Sequence, residues 1–217
     1  VIVLEKPVFF YAESEEPIRL EGVLHLPGSP GIEAPLAILC HPHPIAGGCM
    51  DVPLLLVLAR RLAASGVATL RFNFRGVGRS SGISTGGVRE TEDIQGIMRW
   101  IGEQEDLRVK DIFLAGWSFG SWVGLRWALA SGVPSRIALI SPPTVGFDFF
   151  YFLKESRVGS DSKILILHGE HDQFVDERKV EELVQGLGAE RKILSGADHF
   201  LFGREEEVAS AVRDFFA

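Results

Sequence analysis

Residues 112–120 read Ile112-Phe113-Leu114-Ala115-Gly116-Trp117-Ser118-Phe119-Gly120. A short apolar run breaks at a Gly-x-Ser-x-Gly turn and resumes as a helix-compatible stretch to about Ser131. The run reads as a buried strand, and residues 119–131 read as a helix. A serine on a sharp strand-to-helix turn needs neighbouring chain to come close, and glycines permit this because they carry no Cβ. The helix N-terminus then points free N–H groups at charge developing beside Ser118. Ser118 is thus the candidate nucleophile. The competing reading is a tight glycine-flanked turn in which Ser118 only caps the helix.

The same rhythm extends outward in both directions. Upstream come a strand at 36–40, a helix at 53–65 stopped by Gly66, a strand at 68–74, a Gly/Ser-rich loop and a helix at 90–104. Downstream come strands at 136–141, 163–169 and 191–195, with helices at 177–185 and 205–216. Strand–helix alternation of this kind predicts an α/β fold: a mainly parallel sheet between two helical layers, a three-layer α/β/α sandwich. The first 35 residues differ. Strands at 8–12 and 18–26 flank a turn at 13–17, and the second sets Ile18, Leu20 and Gly22 against Arg19 and Glu21. That pattern predicts an antiparallel hairpin at a sheet edge. In such sheets functional groups gather where parallel strands end.

The 217 residues fit a single domain, 1–217. Apolar residues are 46% and charged residues 24%, an ordinary globular balance. The net charge of −7 argues against nucleic acid as a partner. No apolar run is long enough for a membrane span. The first residues lack the basic and long apolar regions of a signal peptide, so a cytoplasmic protein is expected. Cys40 and Cys49 are then expected as two buried thiols rather than a disulfide.

Two further segments carry a resemblance. His41-Pro42-His43-Pro44 is followed by Gly47-Gly48, and residues 71–80 read Arg-Phe-Asn-Phe-Arg-Gly-Val-Gly-Arg-Ser. With the Ser118 turn, these resemble the α/β-hydrolase superfamily from about Pro35 to the end of the chain. Within it they are similar to small, lidless hydrolases related to dienelactone hydrolase and to the Xaa-Pro dipeptidyl-peptidase catalytic domain. The resemblance implies about eight strands, the N-terminal hairpin included, and a Ser, Asp, His order of catalytic residues.

A serine nucleophile needs a base, and the base needs an orienting carboxylate. His168-Gly169-Glu170-His171-Asp172-Gln173-Phe174-Val175 follows a strand and resembles the family's H-G-x-x-D-x-x-V segment, which selects Asp172. The family often has Pro after that Val; here Asp176 stands there and is expected to cap the next helix. Glu170, Asp148 and Asp161 are the rival acids. Among six histidines, His199 lies between the last strand and the last helix and is the candidate base. His25 and His168 read as structural, His171 as too close in sequence to Asp172, and Asp198 as a loop or capping residue.

Two backbone N–H donors are expected to meet the oxyanion. One is Phe119, after the nucleophile. The other is His43, because in Pro42-His43-Pro44 only His43 has a backbone N–H, and because it matches the third residue of the family's H-G-x-P loop. A zinc reading of His41 and His43 lacks a third ligand. No metal or other cofactor is called for.

About twenty residues separate the strands at 136–141 and 163–169, too few for a cap domain. Five aromatics fall within 147–153. Of these Phe147, Phe149 and Phe150, together with Trp117, are candidate pocket residues; a homodimer contact or a short buried helix are the other readings of the segment. Arg75 and Arg79 could draw an anionic substrate, although Arg75 is expected instead to brace its loop through carbonyls. The expected activity is hydrolysis of a small carboxylic ester through an acyl-enzyme. Peptide or thioester cleavage by the same three residues, and a non-catalytic binding module on this fold, are the alternatives.

Overall fold

The computed structural model describes residues 3–28, 33–153 and 162–217. They form one eight-stranded sheet: β1 (Val3–Tyr11), β2 (Arg19–Pro27), β3 (Ala34–Cys40), β4 (Ala68–Phe72), β5 (Val109–Trp117), β6 (Arg136–Ile140), β7 (Lys163–Gly169) and β8 (Glu190–Leu194). The spatial order is β1-β2-β4-β3-β5-β6-β7-β8. Strands β3 to β8 are parallel; β1 and β2 form an antiparallel hairpin, and β2 runs antiparallel to β4. The helices are α1 (Pro53–Ala64), α2 (Thr91–Gly102), α3 (Phe119–Ser131), the single turn α4 (Phe150–Leu153), α5 (Glu177–Leu187) and α6 (Glu205–Phe216).

Strand alternation divides the core into two layers. Ile38 and Cys40 of β3 face a layer built with Ile94 and Ile97 of α2, Val123 and Trp127 of α3 and Leu183 of α5. Ala37 and Leu39 face the opposite layer, with Leu54, Leu55 and Leu58 of α1 and Val208 and Val212 of α6. The chain leaves β3 toward β4 on one side, then crosses back to β5 on the other. Loops after β3 and β5 therefore diverge, and a crevice opens between them at the carboxyl edge.

The hairpin departs from its sequence reading in two ways. β1 starts at Val3, not at residue 8, and stays in register from Val3 opposite Pro27 to Tyr11 opposite Arg19. Glu5, Lys6 and Pro7 are exposed there, so an edge strand shows no apolar alternation over that half. β2 is an interior strand with both faces covered, so its polar residues are buried too: Glu21 accepts from Asn73 Nδ2 (2.8 Å) and His25 Nε2 accepts from Arg71 Nε (3.0 Å). β4 ends at Phe72 rather than at residue 74. Asn73 N–H turns to the carbonyl of Glu21, and Phe74 N–H turns to the His41 ring.

Cys40 is buried, whereas Cys49 is only half-buried, and both are free thiols. Among the described residues no helix is long and apolar enough to cross a membrane.

The hairpin is clamped by α2, where a Cβ on Gly96 would stand 2.1 Å from the Tyr11 carbonyl oxygen. Alanine is the better helix former by about 1 kcal/mol, yet Gly96→Ala is expected to lower stability by about 2 kcal/mol through overpacking. Urea unfolding reads this directly; an unchanged or higher midpoint would show that helix and hairpin do not need this approach.

Candidate active site

The loops at the carboxyl edge bring Ser118, Asp172 and His199 together. Ser118 joins β5 to α3 with φ 54° and ψ −119°, a region few residues other than glycine enter. Such backbone costs on the order of 1–3 kcal/mol and persists only where the surroundings dictate it. Here Ser118 N–H donates to Ile140 O (2.8 Å), and its carbonyl accepts from Ser121 N–H (2.8 Å) and Ser121 Oγ (2.5 Å). A Cβ on Gly116 would lie 2.3 Å from Gly120 O, and one on Gly120 would lie 2.3 Å from Cys40 O. The two glycines are therefore required by close backbone approach.

Ser118 Oγ lies 2.9 Å from His199 Nε2, and His199 Nδ1 lies 2.8 and 3.0 Å from the two oxygens of Asp172. All three residues are buried. The carboxylate can only accept, so Nδ1 carries the proton and Nε2 is left to accept from the Ser118 hydroxyl. Asp172 is further held by Phe174 N–H (3.0 Å), and Trp117 Nε1 donates to the His199 carbonyl (3.4 Å). The loops bearing acid and base are tied to one another. His171 N–H donates to Ala197 O, and Glu170 accepts from Ser195 Oγ and Gly196 N–H, both at 2.8 Å. A Cβ on Gly169 would sit 2.3 Å from Ala197 O.

The rival carboxylates have other partners. Asp148 accepts from the N–H groups of Phe150 and Tyr151 at the start of α4, and Glu170 closes the turn just described. Asp161 lies outside the described residues. Asp176 caps α5, and Asp198 caps the turn after His199. His171 is exposed. His25 and His168 are buried, each with Nε2 taking an arginine N–H, from Arg71 and Arg191.

His41 and His43 divide different work. His41 is buried; Nδ1–H donates to Pro42 O (2.7 Å) and Nε2 accepts from Phe74 N–H (3.1 Å). Pro42 C=O and His43 N–H belong to one planar trans peptide and point in opposite directions. Anchoring the carbonyl on His41 therefore turns the His43 N–H away from the buried His41 ring. The His43 carbonyl accepts from Ala46 and Gly48, which closes the loop. The N–H groups of His43 and Phe119 have no acceptor among the described residues.

Some sequence expectations change. Phe149 is fully buried in the core, so it has no surface to offer a ligand. Trp117 packs in the core beneath His199 and braces it rather than lining a pocket. Phe150 is half-buried at the start of α4. Phe147 does flank the site, with its ring against those of Phe119 (6.1 Å) and Trp122 (5.1 Å). Arg75 is buried and bonds carboxylates, not carbonyls: Asp93 Oδ1 at 2.8 and 2.7 Å and Glu92 Oε2 at 2.9 Å. Burial opposes its charge, but those bonds outweigh it and raise its pKa. Arg79 lies over the Phe9 ring at the hairpin. Arg75 is thus committed to Asp93 and Glu92, whereas Arg79 is exposed.

Sequence reading missed the polar residues that hold the loops. Glu90 closes the loop before α2 by accepting from Ser84 Oγ, Thr85 N–H, Thr85 Oγ1 and Gly87 N–H, at 2.6–3.0 Å. Asn73 Oδ1 accepts from Met50 N–H (2.7 Å), linking the loops after β3 and β4. The run of Glu90, Glu92 and Asp93 at the start of α2 was the available signal.

The profile of a family described as an α/β hydrolase domain matches residues 35–213. The protein RP471 of Rickettsia prowazekii is 32% identical over 206 residues, which span 91% of this chain and 84% of that one. An α/β serine hydrolase homologue from Coxiella burnetii superposes with a TM-score of 0.81 at 31% identity, covering 98% of this chain and 97% of that one. XC6422 of Xanthomonas campestris, an α/β serine hydrolase without a lid, gives 0.80 at 27% identity, covering 96% and 93%.

Burial lowers the His41 pKa from 6.5 to about 4. An unfolded histidine takes up its proton near 6.5, so the stability His41 provides is complete above that pH and is lost as pH falls toward 4, on the order of 3 kcal/mol at most. His41→Gln, which does not titrate, should flatten the fall of the urea midpoint across this window. Parallel pH profiles for the two proteins would contradict a neutral, buried His41.

Proposed function

The chain belongs to the α/β-hydrolase family, and from that premise we propose that it is a serine hydrolase cleaving small carboxylic esters. One observation carries the reading: a buried Ser118–His199–Asp172 series with both hydrogen-bonded steps near 2.9 Å.

Ser118 Oγ forms a bond to the ester carbonyl carbon as its proton passes to His199 Nε2. The carbonyl oxygen takes the negative charge and is met by the main-chain N–H groups of His43 and Phe119. Asp172 stabilises the imidazolium but keeps its own charge. The intermediate collapses, the C–O bond to the alcohol breaks, and His199 returns the proton to the departing oxygen. Water then repeats the sequence on the acyl-enzyme. His199 takes its proton, the carboxylic acid leaves, and Ser118 is regenerated. Every proton is supplied by the residues named or by water, so the steps need no cofactor.

Peptide and thioester cleavage use the same atoms, and a substrate panel separates them. The readings diverge at the leaving group, where a small alcohol needs the least room. Two similar proteins are serine hydrolases by name, which supports catalysis over a purely binding role.

A fluorophosphonate probe should label the wild-type protein and leave Ser118→Ala unlabelled. Asp172→Asn should cut kcat on an activated short-chain ester by about four orders of magnitude. Persistent labelling of Ser118→Ala would remove Ser118 from the chemistry.

A further inference from the structure

The His43 side chain has a fixed tautomer. Its Nδ1 accepts from Ile45 N–H (3.1 Å), and a backbone N–H can only donate. The imidazole proton of neutral His43 therefore sits on Nε2. Nε2 has no acceptor among the described residues, and the residue is half-buried, so the N–H reaches accessible space.

That donor stands in an aromatic wall. The His43 ring lies 4.8 Å from the Phe119 ring and 6.4 Å from the Phe147 ring, with Trp122 behind Phe147. Trp122 Nε1 is committed to Asp148 O (3.1 Å). Among the described side chains of this wall, His43 Nε2 is thus the polar hydrogen left for a ligand. The rings packed on the base are different ones, Phe174 (4.6 Å) and Phe200 (5.7 Å).

This arrangement sorts the two ends of an ester. The leaving oxygen must face His199, which returns its proton. The alcohol part then falls on the side of Phe174 and Phe200, and the acyl part on the side of His43 and Phe147. We infer that the His43 imidazole is a specificity-determining residue whose Nε2–H binds a second acceptor oxygen in the acyl group. The favoured acyl groups carry an ether, keto or hydroxyl oxygen a few bonds from the carbonyl, because the oxyanion donor and the imidazole belong to one residue. This rests on the esterase reading above.

The test compares p-nitrophenyl methoxyacetate with p-nitrophenyl butyrate, acyl groups of equal length that differ by one oxygen. The ratio of their kcat/KM values is measured for wild type, His43→Phe and His43→Gln. The greater intrinsic reactivity of methoxyacetate cancels between proteins, as does any general loss of activity. Phe keeps the ring and the main-chain N–H; Gln restores a side-chain donor. The ratio should fall about tenfold in His43→Phe, the worth of one neutral hydrogen bond, and recover in His43→Gln. Equal ratios in all three proteins, or a fall that Gln does not reverse, would overturn the inference. Nitrogen NMR of wild-type His43 needs no variant: an Nε2–H tautomer is expected, and Nδ1–H would overturn it as well. Turnover that survives Ser118→Ala would instead strike at the esterase reading itself.

Discussion

The backbone approach of Gly120 to the end of β3 is the constraint on which the rest of the site depends. With no Cβ at Gly120, α3 can start against the Cys40 carbonyl. That contact sets the distance between the loop after β3 and the turn after β5. The turn in turn forces Ser118 into positive φ, and the strain is offset by bonds to Ile140 and Ser121. One close contact between glycine and backbone therefore sets the turn that carries Ser118 against the end of β3.

Around this point the loops are held by buried polar groups rather than by apolar packing. His41 bridges the loops after β3 and β4, while Arg75 joins the loop after β4 to the first turn of α2. At the surface, Glu170 also ties the loop that carries Asp172 to the loop that carries His199. His41 and Arg75 would each be costly to bury alone and are satisfied only when their loops are in place. A site built this way has its donors and acceptors oriented before any substrate arrives, which is the condition for electrostatic stabilisation of a developing charge.

Much of this was legible in the chain. The alternation of short apolar runs with amphipathic ones led to the parallel strands and their helices, since burial on two faces leaves a direct mark on sequence. The Gly-x-Ser-x-Gly turn pointed to Ser118 because its glycines are needed locally. The edge half of β1 was not legible: Glu5, Lys6 and Pro7 face solvent and carry no pattern. Nor was the burial of Glu21 and His25, whose partners Asn73 and Arg71 lie about fifty residues away. Phe149 shows the same limit. Its aromatic character was plain, but whether it lined a cleft or filled the core depended on how the turn before α4 folded.

Sequence by itself determined the class of fold and the strained turn at Ser118, because each follows from residue type and near neighbours; the chain order of serine, acid and histidine came from the family resemblance. Tertiary structure alone decided which histidines face the crevice and which are buried as neutral props, and which carboxylates cap a helix and which meets His199. Those outcomes turn on the partners each group finds across the sheet. A hydrogen bond is settled within a few tenths of an ångström between residues far apart in the chain, and no local pattern records that distance.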